Sequence, residues 1–365
     1  MDSVLGLITG NYATEELQVL TAERGIASLP FGSRYRLVDF PISNMVNSGL
    51  TTVGLVTPYK YRSIIDHVGS GSDYGLDRKH GGLHILPGSV FGVRGNLNSR
   101  FLLRDIRRNM VYIKRSPMPY VLITASNSIY KMDYTELVKA HIDSGAGITM
   151  AYCVNNENNP NVKGLVLENN VVKGITNGTK VGDNAFMDCF IINRGLLIRI
   201  MDWYASVDYY DTIDLIAGDI EKLQVNAWKF DGYAKSIFTV ESYYNTSMDL
   251  LKYEVNKELF VDGAPILTKI QDWSPARYGL EADVQNSLIP AGCTVEGTVE
   301  NSILFRGVKI KKGAVVKNSI IMQSCVIEEG ACVENAISDR NNVIGKGTVI
   351  KGTPDVLFIK EKAGL

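Results

Sequence analysis

Over roughly the first 150 residues, short apolar runs alternate with stretches whose apolar positions recur every three or four residues. Val4 to Ile8, Thr52 to Thr57, Pro119 to Thr124 and Ile148 to Val154 are predicted strands. Thr14 to Arg24, Phe40 to Ser48, Tyr61 to Val68, Phe101 to Arg115 and Tyr134 to Ser144 are predicted helices, three of them stopped by Gly25, Gly49 and Gly145. Such alternation gives a mostly parallel sheet with helices on both faces. Ligands of these α/β folds sit beyond the carboxyl ends of the strands, so the loops after Ile8, Thr57 and Thr124 are the places to look.

The last stretch follows another rule. Asn-Ser-Leu-Ile at 286–289 recurs as Asn301-Ser-Ile-Leu, Asn318-Ser-Ile-Ile and Asn335-Ala-Ile-Ser, at spacings of 15, 17 and 17. Gly313-Ala-Val-Val, Gly330-Ala-Cys-Val and Gly347-Thr-Val-Ile repeat every 17 in a second register. Small apolar residues about every six positions, with glycine at corners, predict a hexapeptide-type parallel β-helix whose coils stack into one apolar column. The expected organisation is a nucleotide-binding-type domain at 1–250, a helix and linker at 251–283, and the β-helix at 284–365. In the joining region, a helix is predicted over Ser247 to Lys257, and Trp273 and Tyr278 are expected to pack the two domains together.

Length and charge narrow the functional classes. A chain of 365 residues suits about two domains. With 38 Lys+Arg against 39 Asp+Glu, net charge is −1, which favours neither nucleic acid nor an anionic membrane as partner. No run approaches the roughly 18 apolar residues of a membrane span. The start, Met1-Asp2-Ser3-Val4-Leu5, lacks the basic region of a secretory signal. Five scattered cysteines without a Cys-x-x-Cys pair read as reduced thiols, so a cytoplasmic location is expected. His67, His80, His84 and His141 are too dispersed for a metal cluster.

One stretch carries a more specific signal. Leu29-Pro-Phe-Gly-Ser-Arg-Tyr-Arg-Leu-Val-Asp-Phe-Pro-Ile-Ser-Asn44 resembles the motif of bacterial glucose-1-phosphate adenylyltransferases, the ADP-glucose pyrophosphorylase family. Ile129-Tyr-Lys-Met-Asp-Tyr134, Asn245-Thr-Ser-Met-Asp-Leu-Leu251 and Val299-Glu-Asn-Ser-Ile-Leu-Phe305 follow in the family's order. The resemblance implies a Rossmann-like (GT-A-like) nucleotidyltransferase domain followed by a left-handed β-helix. It also implies a reaction in which ATP and glucose 1-phosphate give ADP-glucose and pyrophosphate with Mg²⁺.

That chemistry gathers many negative charges, and catalysis there is mainly positioning and neutralisation. It calls for a glycine-rich turn whose amides reach the phosphates, cations on the triphosphate, and acidic ligands for Mg²⁺. Set against the family pattern, this chain lacks them. The phosphate loop reads Thr9-Gly10-Asn11-Tyr12-Ala13-Thr14-Glu15, with Gly10 the one glycine kept and Glu15 or Glu16 where a cation belongs. Ile26 stands in the place of a lysine, and no Glu-Lys-Pro run exists around Thr176 to Thr179, where Lys180 is the nearest lysine. Asn127 and Ser236 fall on the two metal aspartates. Phe238 and Asp188 fall on glycines, and Phe186 on a serine. Losing a single preorganised charge contact commonly costs about 10²–10³ in rate. The resemblance therefore implies no catalytic residues, no tightly held cofactor and no metal in this chain, Mg²⁺ being used by a catalytic paralogue.

The expected role is that of a GlgD-type regulatory subunit, bound to a catalytic ADP-glucose pyrophosphorylase paralogue, as a heterotetramer, with self-association in its absence. An adenylyltransferase active through altered ligands, and a nucleotide or sugar-phosphate sensor without turnover, are the rival readings. Arg34, Arg36, Arg104, Arg107 and Arg108 are candidates for an anionic effector site or a subunit contact, against a merely solvated basic face on the helix. Arg36 and Asp39 read either as a ligand- or interface-shaping loop or as a buried pair in which Asp39 anchors a helix start.

Overall fold

The six residues Val4–Thr9 are all buried, as a strand covered by helices on both faces must be. In the computed structural model, which describes residues 3–10, 15–57, 60–88, 100–207 and 210–363, this strand is the middle of a parallel block. We label the strands of the main sheet β1 (Val4–Thr9), β2 (Thr52–Thr57), β3 (Gly82–Pro87), β4 (Tyr120–Ala125), β5 (Ile148–Val154), β6 (Asn159–Glu168), β7 (Val171–Thr179), β8 (Asn184–Asn193) and β9 (Val225–Lys229). Their spatial order is β3-β2-β1-β4-β8-β5-β9-β7-β6. The block β3-β2-β1-β4 is parallel throughout. Beyond it, β8 runs antiparallel to both β4 and β5, β9 is parallel to β5, and β6 and β7 form an antiparallel ribbon. The sheet is thus more mixed than the apolar runs predict.

Alternate side chains of the central strands enter two cores. Leu5, Leu7, Ile123, Met150 and Phe190 lie on one face, and Val4, Ile8, Leu122, Ala151 and Ile191 on the other. Helices Asp39–Asn47, Arg62–Val68 and Tyr134–Ser144 form where predicted, within a residue. Three predicted helices change. The Thr14–Arg24 helix is a 3₁₀ turn over Glu15–Thr21. The Phe101–Arg115 helix is two short ones, Leu103–Arg108 and Met110–Arg115, broken at Asn109. The Asn109 amide donates to Pro87 O and Asp105 O at 2.9 and 2.8 Å, side-chain bonding that competes with the helix. The third, predicted over Ser247 to Lys257, divides in two: a helix that begins at Val240, where Thr239 and Ser242 form a reciprocal cap, and ends at Asp249, and a short one over Tyr253–Asn256 that runs on into a π-helical turn, Lys257–Val261.

The C-terminal part is a three-sided parallel β-helix of the hexapeptide kind, consistent with the left-handed type. Its first strand, Arg277–Tyr278, pairs with Thr294–Val295, so the first coil opens inside the stretch expected to be linker. Asn286, Asn301, Asn318 and Asn335 all have φ between 41° and 50°, and Gly313, Gly330 and Gly347 have φ of 65° to 68°. The repeated asparagines and glycines are therefore the left-handed corners, which those residues tolerate best. Trp273 lies over the corners at Gly292 and Gly307, where a Cβ would meet its ring, and Tyr278 is exposed. Trp273 thus covers β-helix corners, and neither aromatic belongs to the buried core shared by the two domains.

What joins them is a shared core. Ile303, Phe305, Ile320, Met322 and Ile337 on one face of the β-helix pack with Leu17, Leu29, Phe31, Phe40 and Tyr243. Arg24 and Asp339, both almost fully buried, form an ion pair across the same boundary.

Candidate functional site

The carboxyl ends of β1 and β4 lie side by side, and two of the expected motifs sit there. Gly10 follows β1 with φ 72°, and a Cβ on it would come within 3.3 Å of Arg100 O. Glycine is kept at this position because the backbone is left-handed and Arg100 presses on it. Thr9 Oγ1 donates to Arg100 O at 2.8 Å. Asn11 and Tyr12 of the same motif lie outside the described residues, as does the Glu15 side chain.

Asn127 follows β4 and is buried. Just after it, Ser128–Tyr130 pairs antiparallel with Ala234–Ser236, setting Ser128 opposite Ser236. Residues more than 100 apart in sequence thereby become neighbours. Ser128 Oγ and Ser236 Oγ lie 3.3 Å apart, and Asn127 Nδ2 donates to Ile237 O at 3.2 Å. Asn127 Oδ1 has no hydrogen-bond partner among the described residues. Asn127, Ser128 and Ser236 bring a neutral amide and two neutral hydroxyls together here, and the Lys235–Glu157 ion pair lies beside them. Among the described residues, no group of three or more His, Cys, Asp or Glu is placed to hold a metal ion.

Three more substituted positions, Phe186, Asp188 and Phe238, lie near the same place. Asp188 lies on β8 where its pairing with β5 shifts register, buried, with φ 52°. Its carboxylate meets Arg100 Nε at 2.5 Å, and the Arg100 guanidinium carbon stands 4.8 Å from the centre of the Phe238 ring. Burial pushes the Asp188 carboxyl up from its ordinary range, and Arg100 pulls it partly back. Phe186 is packed against Phe101 and Phe190. Ile26 is buried in the core that joins the domains. Lys180 is exposed in a turn closed by Asp183. Between the Ser128/Ser236 strand pair, Asn155 and Phe186, a cavity of ≈ 50 Å³ remains.

The arginine candidates separate into two places. Arg104, Arg107 and Arg108 lie on a short helix packed beside Arg194–Trp203, with Arg107 bonded to Ala205 O at 2.5 Å. Arg34 and Arg36 line a cleft of ≈ 40 Å³ between the domains, together with His67, Lys269, Arg306 and Arg340. Burial first, then the neighbouring Arg340, holds Arg36 down to about 10. Arg306 and Arg340 are also lowered by burial and by a nearby arginine. Cations crowded in this way favour an anion between them. The sequence reading missed Lys269, Arg306 and Arg340, which sit more than 200 residues from Arg36 and meet it only because the β-helix folds back.

Asp39 is an anchor. Its carboxylate accepts from Arg36 N at 2.9 Å, Tyr74 Oη at 2.7 Å and His67 Nε2 at 2.6 Å. The Arg36 guanidinium goes to Ser63 instead, so the expected side-chain pair does not form.

Residues 13–175 match the nucleotidyl transferase family, and residues 274–355 match the GlmU-like C-terminal hexapeptide family. A GlgD glycogen biosynthesis protein of Geobacillus stearothermophilus is 35% identical over 315 residues, covering 86% of this chain and 83% of its own. This chain belongs to the glucose-1-phosphate adenylyltransferase family. A GlgD protein of Bacillus subtilis is 31% identical, over 86% of this chain and 82% of its own. A glucose-1-phosphate adenylyltransferase of Clostridium perfringens strain 13 is 33% identical, over 86% and 81%. Both GlgD proteins and adenylyltransferases of this family thus lie at similar distance. No described helix is long and apolar enough to cross a membrane.

Proposed function

We propose that this chain is a catalytically impaired, regulatory subunit of ADP-glucose pyrophosphorylase, acting in glycogen biosynthesis on a catalytic paralogue that makes ADP-glucose from ATP and glucose 1-phosphate. One observation carries the reading: the two family positions for metal carboxylates meet at one antiparallel strand pair, and they are Asn127 and Ser236, with Ser236 bonded to Ser128. Mg²⁺ takes oxygen ligands and relies on carboxylates to offset its charge. An amide and a hydroxyl offset none, so this donor set does not fit the ion. The likeness to two GlgD proteins supports the same reading.

A subunit without turnover influences a neighbour if its contacts differ between the neighbour's two states. The basic cleft of Arg34, Arg36, Arg306 and Arg340 supports an anionic effector between the domains. The short helices over 103–115 and the β-helix are the proposed contact surfaces, in a heterotetramer. Co-expression with a tagged catalytic paralogue tests the partnership. A mixed oligomer of fixed stoichiometry is expected, and chains that purify apart at every ratio would remove the proposal.

A further inference from the structure

Arg100, Asp188 and Phe238 come from three distant segments, and the latter two stand where the family pattern carries glycine. Each is placed at a cost or with several supports. Asp188 is a buried non-glycine residue with left-handed backbone, a strained state that persists only where the surroundings compensate. The compensation is visible in its 2.5 Å contact with Arg100 Nε. Phe238 offers its ring face to the same guanidinium at 4.8 Å, a cation–π distance.

The Arg100 backbone is fixed as firmly. Its carbonyl accepts from Thr9 Oγ1 at 2.8 Å, and its amide donates to Asp211 Oδ2 at 2.9 Å. Asp211 also caps the helix Thr212–Gly218 through Ile213 N. Arg100 is therefore held between the remnant phosphate loop at Gly10, the strand at Asp188 and the segment that follows Ser236. Phe238 packs with Val162 and Ala185, which line the ≈ 50 Å³ cavity beside it. Pockets for small molecules usually enclose about 300–1,000 Å³, so this cavity is too small for a hexose phosphate.

We infer that Arg100 is a built-in ligand of this domain: its guanidinium, clamped by Asp188 and Phe238, fills the ground between the phosphate loop and the sugar-side strand. The clamp shuts out hexose phosphates and holds the domain in one conformation. This rests on reading the chain as a subunit without turnover. In a mixed oligomer the neighbour would then meet a partner whose shape does not change with substrate supply.

The test uses the full chain, glucose 1-phosphate as probe, and two readouts: calorimetric titration and thermal unfolding. The unaltered chain is expected to show no saturable binding and no shift in melting temperature at millimolar probe. The Asp188→Gly/Phe238→Gly variant frees the guanidinium and the space. It is expected to bind the probe saturably and to gain about 3 °C or more in melting temperature on doing so.

Saturable binding by the unaltered chain, or a folded double variant that takes no probe, overturns the inference. Should the double variant not fold, hydrogen exchange on the unaltered chain decides. Segments 186–190 and 236–239 are expected to be protected without probe and unchanged by it, and protection gained on adding probe refutes the clamp. Binding without turnover sinks this inference alone, whereas pyrophosphate release by the pure chain sinks the regulatory reading.

Discussion

His141 shows how a single side chain here sets a pH response. It is buried on the helix Tyr134–Ser144, with Nδ1 2.9 Å from Thr149 Oγ1 and Nε2 3.1 Å from Asn193 Oδ1. This pairing suits the neutral ring, and burial lowers its pKa from the ordinary 6.5, with Asn193 opposing weakly. A lowered folded-state pKa gives stability that is present above the unfolded value and lost as pH falls through the folded one. The melting temperature is expected to fall as pH drops below about 6.5, and to fall less in His141→Gln. Equal slopes in a pH series of thermal melts would remove His141 as a cause. At this scale the sequence was only partly readable. Asn127 and Ser236 stood out because the residue types are wrong for a metal. Arg100 read only as one cation of a basic run, and nothing in the sequence pairs it with Asp188 and Phe238, which arrive from 88 and 138 residues further along the chain.

Among elements, the β-helix was the most legible, because a repeat of 17 writes the same corner into every coil. Asn318 has φ 46° at such a corner, and Tyr244 Oη donates to its carbonyl at 2.8 Å. Asn318→Val places a β-branched residue in the left-handed region and is expected to cost about 1–2 kcal/mol, while Asn318→Gly costs little. Urea unfolding of both variants checks this, and equal losses would mean that the amide, not the backbone, matters. The parallel strands were legible for the same reason that they are stable, as continuous apolar runs. The ribbon of β6 and β7 was not. Asn159-Pro-Asn and Thr176-Asn-Gly-Thr are poor strand formers, and these segments are strands because they pair with each other and with β9.

For the whole molecule, the question is how rigidly the β-helix is fixed to the first domain. Arg24 and Asp339 are 2% and 1% exposed and separated by 315 residues. Removing one member leaves the other charged and buried without its partner. Arg24→Ala and Asp339→Ala are each expected to cost about 3–5 kcal/mol, and the double variant less than their sum. Additive losses in a double-mutant cycle would show that the pair is not coupled. The cleft of Arg34, Arg36, Arg306 and Arg340 opens at this same junction, so an anion bound there would act on the contact that sets the two domains against each other.

On the proposed reading, this chain regulates a reaction it does not itself catalyse. The most direct measurement is pyrophosphate release from ATP and glucose 1-phosphate with Mg²⁺, first by the pure chain and then with the catalytic paralogue added. No release alone, with a changed rate or activator response in the mixture, is the expected result. Release by the pure chain at a rate near that of the paralogue would contradict it, and Asn127 and Ser236 would have to be reassigned.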